Sequence, residues 1–194
     1  MRGHLRALLV GGMVLGSIVV GCAKAQHEGA QLTTTSSTTT APPEDFVADA
    51  GDFVRLQDMT PVRGYFISNP AGHLKQALAV ANSKSGGTYP VGTIIQLVPQ
   101  EAMVKRAPGF SPATKDWEFF ELDASATGTK IHKRGGDEVV NRFGGSCADC
   151  HAAAKPQFDF ICEDTHGCEP LPISDEVIAG IQKADPRPPA SEPG

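Results

Sequence analysis

The stretch "GGSCADCHAAAKPQFDFICEDTHGC", residues 144–168, holds four of the five cysteines of this 194-residue chain and two of its six histidines. That clustering constrains the fold more than any other feature, because the rest of the chain must be shaped around whatever those side chains hold. What they can hold depends on the compartment. The chain begins "MRGHLRALLVGGMVLGSIVVGCAKAQ", with Arg2 and Arg6 ahead of an apolar, Gly-rich run over 8–20. This is a secretory signal, too short to span a bilayer comfortably. Val19-Val20-Gly21-Cys22 resembles a bacterial lipobox. It predicts a signal peptide over 1–21 and a diacylglycerol-modified Cys22 as the first mature residue. The alternative is an ordinary signal cleaved elsewhere, with Cys22 discarded. Both readings put the mature protein outside the cytoplasm, where disulfides persist. Ala23 behind the cysteine points to anchoring in an outer membrane where the source has one.

Residues 22–45 form a Thr/Ser tract ending at Pro42-Pro43, with too little apolar surface to offset chain entropy, so they read as a disordered tether. The Pro-rich segment 184–194 reads as a disordered tail. One domain with one core remains, residues 46–183. The chain carries 17 basic and 22 acidic residues, a net charge of −5 that becomes −7 without the two signal arginines. No basic patch suggests nucleic acid.

Within the domain, "VRGYFISN" over 62–69 reads as one strand ending at Asn69-Pro70, and Leu74, Leu78 and Ala81 mark a helix over 71–83. Strands follow over 93–98 and, beyond Pro99, over 102–106. "DWEFFELDASATGTKIHKRG" reads as a hairpin with strands 117–123 and 129–133. Trp117 and Phe119 share one face of its first strand, Phe120 and Leu122 the other, so both faces should be covered. A final short helix fits "SDEVIAGIQKA", N-capped by Ser174 with Glu176 in its first turn. The predicted class is α+β, a mainly antiparallel sheet with flanking helices.

Cys147-Ala148-Asp149-Cys150-His151 is C-x-x-C-H, the attachment signature of c-type haem. Two thiols at this spacing reach the two vinyl groups, and the adjacent imidazole, His151, is the iron's proximal ligand. A zinc site using Cys147, Cys150, Cys162 and Cys168 lacks the usual tight second pair and requires reduced thiolates in an oxidising compartment. A redox dithiol would sit at a strand-to-helix junction of a βαβ unit, which the pattern does not show. With lipid and haem assigned, Cys162 and Cys168 remain, and a disulfide between them is the economical pairing.

A mostly β domain with a late C-x-x-C-H, preceded by "YPVGT" and the "DWEFFEL" strand, resembles the cytochrome P460 family, which includes the β-sheet cytochromes c′. The resemblance covers about 62–183, and its one sharp motif is the haem signature. It implies an antiparallel sheet with flanking helices, and one haem c that is five-coordinate through His151 with a pocket on the opposite side. Members either oxidise hydroxylamine, using an extra bond between a lysine and the porphyrin, or lack that bond and bind small gases such as NO or CO.

The sequence offers several residues for the finer assignments. For a sixth iron ligand the candidates are Met59, Met103, His73, His132 and His166. Met103 reads as core, His73 and His132 as solvated, and His166 stays ambiguous, so an open distal position is the leading expectation. A Met ligand would instead make a six-coordinate electron carrier. Pocket walls are sought among Phe66, Phe110, Trp117 and Phe120. Counter-charges for the haem carboxylates are sought among Lys105, Arg106, Arg134 and Arg142, and a proton acceptor among Asp116, Glu118, Glu121 and Asp159. Lys105, Lys130 and Lys133 are the candidates for a lysine cross-link, with Lys105 foremost, but a solvated Lys105 and a haem bound only through Cys147 and Cys150 are expected. The partners implied are a small gaseous or nitrogenous ligand, a redox protein and, through the lipid, a membrane. A homodimer is an assembly left open.

Overall fold

The computed structural model describes residues 41–141 and 144–190. The expected export signal, Cys22, most of the expected tether and Arg142 therefore lie outside the described residues. Among the described residues six strands form a single sheet in chain order, each antiparallel to the next: β1 (Thr60–Val62), β2 (Tyr65–Ser68), β3 (Ile94–Gln96), β4 (Glu101–Lys105), β5 (Trp117–Ser125) and β6 (Gly128–Gly135). In the described residues three α-helices accompany it, α1 (Leu74–Ala81), α2 (Cys147–His151) and α3 (Asp175–Lys183). The class is α+β, as the residue patterns predict. Among the described residues no helix is long and apolar enough to cross a membrane.

Alternation along the strands divides the apolar residues between two layers. Ile67, Ile95, Met103, Trp117 and Phe119 point to one face, where α1, Tyr89, Ala148 of α2, Phe160 and Ile161 cover them. Ile94, Ala102, Val104, Phe120 and Leu122 point to the other, covered by Phe53, Leu56 and Met59 from the segment before β1. The sheet is thus buried on both sides, and the cysteine-rich segment belongs to the first. We call these the motif face and the opposite face. Trp117, Phe120 and Leu122 are each 0 or 1% exposed, at a stabilisation of about 1.5–3 kcal/mol per large apolar side chain buried.

Three sequence expectations are corrected. The single strand over 62–69 is a tight hairpin: Val62 pairs with Tyr65 across Arg63-Gly64, and Arg63 is left-handed at φ 51°. The tail over 184–194 is held at least as far as residue 190. Arg187, 3% exposed, donates from Nη1 to the Phe53 carbonyl (3.0 Å) and from Nη2 to Gln96 Oε1 (3.1 Å), while Asp185 pairs with it and accepts from Leu56 N–H (2.9 Å). A polar composition concealed this because the buried charges are matched to each other and to backbone groups. Likewise Asp45, at the end of the expected tether, accepts from Arg106 and from Ala107 N–H (2.7 Å), so order begins before Phe46.

The last helix follows its cap. Ser174 accepts from Val177 N–H, acidic Asp175 and Glu176 occupy the first turn, and Lys183 lies in the last, each complementing the helix dipole. Gln182 then donates from Nε2 to the carbonyls of Gly64 (2.8 Å) and Leu97 (2.9 Å), which ties α3 to two loops of the sheet.

Candidate functional site

Helix α2 is short, and its start is built by local bonds. Ser146 is extended and its hydroxyl accepts from Asp149 N–H (3.2 Å), Val140 and Ser146 form an antiparallel bridge, and Cys147 N–H donates to the Val139 carbonyl (3.1 Å). Ala148 is 6% exposed and anchors the turn in the core of the motif face. Cys147 and Cys150, three positions apart, therefore share one side of the helix. Both thiols are free, Cys147 half-buried and Cys150 exposed.

The imidazole of His151 is fixed from behind. Its Nδ1 lies 2.8 Å from the Phe160 carbonyl oxygen, an acceptor, so Nδ1 carries the proton and Nε2 the lone pair. No hydrogen-bond partner meets Nε2 among the described residues. The ring packs against Phe119 (5.1 Å between centroids) and lies nearly parallel to Phe160 (6.5 Å, 20°). Burial lowers its pKa, with the Phe160 bond acting in the opposite sense, which favours the neutral form that a metal requires.

Burial pushes the Cys147 thiol up to about 11, with the nearby Glu101 carboxylate acting in the same direction. A nucleophilic dithiol needs the reverse, a lowered pKa. The sheet is also antiparallel throughout, so a βαβ unit is lacking among the described residues. The zinc alternative loses its donors, because Cys162 and Cys168 are joined as a disulfide with Cα atoms 5.6 Å apart. Among the described residues no group of three or more His, Cys, Asp or Glu side chains is placed to hold a metal ion. Mass spectrometry without reduction should find the Cys162–Cys168 pair two hydrogen atoms lighter than the thiol form. Two alkylatable thiols would refute the pairing.

The disulfide loop is braced. His166, 8% exposed, has Nδ1 2.8 Å from the Ile161 carbonyl, and its ring stacks on Phe158 at 3.7 Å. Arg63 binds Glu163 through Nε and Nη2, both at 2.6 Å. The Cys162 sulfur lies 3.1 Å from the carbonyl oxygen of Cys150, so the loop abuts the end of α2.

The other predicted residues divide by face. On the motif face are Met103, 4% exposed in the core; Trp117; Lys105; and Asp159. Met59, Phe66, Phe120 and Glu118 stand on the opposite face, as do the guanidinium groups of Arg106 and Arg134, which both bind Glu118. A role for these last groups against a haem on the motif face is therefore unsupported. Phe110 is 36% exposed and covers the Arg106 guanidinium at 4.4 Å. Asp116 accepts from Gly109 and Ser111 N–H, shaping its own loop. His73 and His132 are exposed, as expected. Glu121 pairs directly with Glu101 across β4 and β5, and both charges lie close enough to Cys147 to raise its pKa.

Lys105 contradicts the expectation of a solvated strand end. It is 5% exposed, with Nζ 2.9 Å from Asp159 Oδ1 and 2.6 Å from the Lys115 carbonyl, and lies 5.2 Å from the centre of the Trp117 ring. Lys130 is exposed and Ile131 packs on the core, as alternation predicts; Lys133 is exposed and caps the Glu138 carbonyl (3.1 Å). The residues that touch the His151 ring, Phe119 and Phe160, escaped the sequence reading. Strand alternation places Phe119 beside Trp117 on one face, whereas nothing in the sequence marks a backbone carbonyl as the partner of His151.

No protein-family model, curated protein or solved structure matches this chain.

Proposed function

We propose that the domain is a monohaem c-type cytochrome, exported and lipid-anchored through Cys22, whose iron is held by His151 and left open on its other side to a small ligand such as NO or CO. The observation that carries this reading is the His151 imidazole, oriented through Nδ1 by the Phe160 carbonyl, with no partner on Nε2 among the described residues, directly after two free thiols on one side of a helix. This donor set fits haem c and fits neither zinc nor a reactive dithiol. Cys147 and Cys150 would hold the group by thioether bonds, and His151 Nε2 would ligate the iron. The group would supply a one-electron couple and an open coordination position.

Support for an open position comes from the occupations of the alternative ligands. Met59 packs on the opposite face, and His166 is stacked and hydrogen-bonded. The hydroxylamine-oxidising reading needs a lysine bonded to the porphyrin. Lys105, the foremost candidate, has its ammonium committed to Asp159 and the Lys115 carbonyl, which favours the ligand-binding reading. A redox partner protein would exchange electrons with the domain near the membrane surface.

The test is a visible spectrum of the purified reduced protein with and without CO. A c-type haem spectrum of high-spin character that changes promptly on CO addition is expected. Absence of haem absorbance would overturn the assignment, and a spectrum unmoved by CO would overturn the open position. A digest linking Lys105 or another lysine to the porphyrin would promote the hydroxylamine reading. For the anchor, Cys22→Ser should shift the protein from the membrane fraction to the soluble one; unchanged fractionation would refute lipidation at Cys22.

A further inference from the structure

The carbonyl that orients His151 belongs to a turn the backbone does not favour. Asp159 and Phe160 are both left-handed, with φ of 50° and 72°, and neither is glycine. Left-handed backbone at non-glycine residues carries a conformational cost, so the turn persists only where its surroundings hold it. The holding groups come from the sheet. Asp159 accepts at Oδ1 from Lys105 Nζ (2.9 Å) and at Oδ2 from Tyr89 N–H (2.8 Å), while its backbone oxygen accepts from Trp117 Nε1–H (2.6 Å). Lys105 and Trp117 are direct partners across β4 and β5, so two anchors stand side by side on the motif face. From the same neighbourhood Lys115 Nζ reaches the Pro156 carbonyl (2.7 Å), and Gly87 N–H binds the Gln157 carbonyl (2.9 Å).

We infer that Lys105, Asp159 and Trp117 are positioning residues for the axial ligand: they hold the 159–160 turn so that the Phe160 carbonyl stays on His151 Nδ1. This inference rests on the haem reading above. A strong bond at Nδ1 makes the imidazole a better donor at Nε2, which stabilises an oxidised metal over a reduced one. Loosening the turn weakens that bond and raises the midpoint potential.

Charge supplies the discriminating test. Lys105→Met removes a cation, which acting through charge alone lowers the potential; Asp159→Asn removes an anion, which acting through charge alone raises it; Trp117→Phe changes no charge. Positioning predicts a positive shift in all three, with at least a tenfold change in the reduced-to-oxidised ratio at fixed poise, equal to about 59 mV for a one-electron couple. Each variant is measured as the haem-loaded protein by redox titration, after denaturing-gel haem staining confirms covalent loading equal to wild type. Opposite signs for Lys105→Met and Asp159→Asn would reduce the effect to electrostatics and overturn the inference, as would unshifted potentials. Should Lys105→Met fail to fold, the near-isosteric Asp159→Asn and the uncharged Trp117→Phe still decide it, since a negative or absent shift in Trp117→Phe is fatal. A wild-type protein without haem would instead refute the underlying reading, so the two failures are distinguishable.

Discussion

Replacing Cys147 and Cys150 together with alanine should leave a folded protein with no haem-staining band on a denaturing gel. Denaturation breaks an axial bond from His151 but leaves covalent bonds to the porphyrin intact, so retained staining reports covalent attachment rather than axial ligation. Each single variant should keep one thioether and a weakened band. The fold should tolerate the change, because Cys150 is exposed and Cys147 is only half-buried at the edge of the core. The Cys162–Cys168 bridge is independent of both thiols and should survive, which gives an internal check on folding by mass. Staining that persists in the double variant would reveal a covalent bond other than these two thioethers, such as the lysine bond of the hydroxylamine reading, and would overturn a haem held only through Cys147 and Cys150.

What was legible in the residues was what local chemistry dictates. The period-two pattern of Trp117, Phe119, Phe120 and Leu122 assigned them to faces correctly, because β5 is an interior strand covered on both sides. The hairpin over 117–133, the Ser174 cap and the Cys162–Cys168 pairing also depend on neighbours in the chain. What escaped depends on partners distant in sequence. Lys105 reads as a solvated strand end until Asp159, 54 positions on, is folded against it. Arg187 reads as part of a loose tail until Gln96 and the Phe53 carbonyl accept from it. Of the candidate site, the thiols and His151 are visible as a motif. The Phe160 carbonyl that orients His151 has no side-chain signature, and two adjacent left-handed residues at Asp159-Phe160 are announced by neither glycine nor asparagine.

Glu118 shows why charge at the sheet must be separated from charge at the site. The sequence offers Glu118 as a proton acceptor and Arg106 and Arg134 as haem counter-charges, yet strand alternation sends Glu118 with Phe120 to the opposite face. There the carboxylate is 3% exposed and clamped by Arg106 Nη1 (2.5 Å), Arg134 Nε (2.6 Å) and Arg134 Nη2 (2.9 Å). Removing one partner from a buried ionic cluster costs about 3–5 kcal/mol, because the remaining charges stay desolvated without compensation. Two features place Glu118→Ala at the low end of that range: Asp45 continues to bind Arg106, and the Arg134 side chain is 32% exposed. For a domain of this size the melting temperature should fall by roughly 10 °C. Haem content per folded molecule and the midpoint potential should stay at wild-type values, because the sheet separates Glu118 from His151. A calorimetric scan beside a redox titration measures both. A fall under about 3 °C would mean that the cluster contributes little to stability, while a changed potential would mean that Glu118 acts on the site after all.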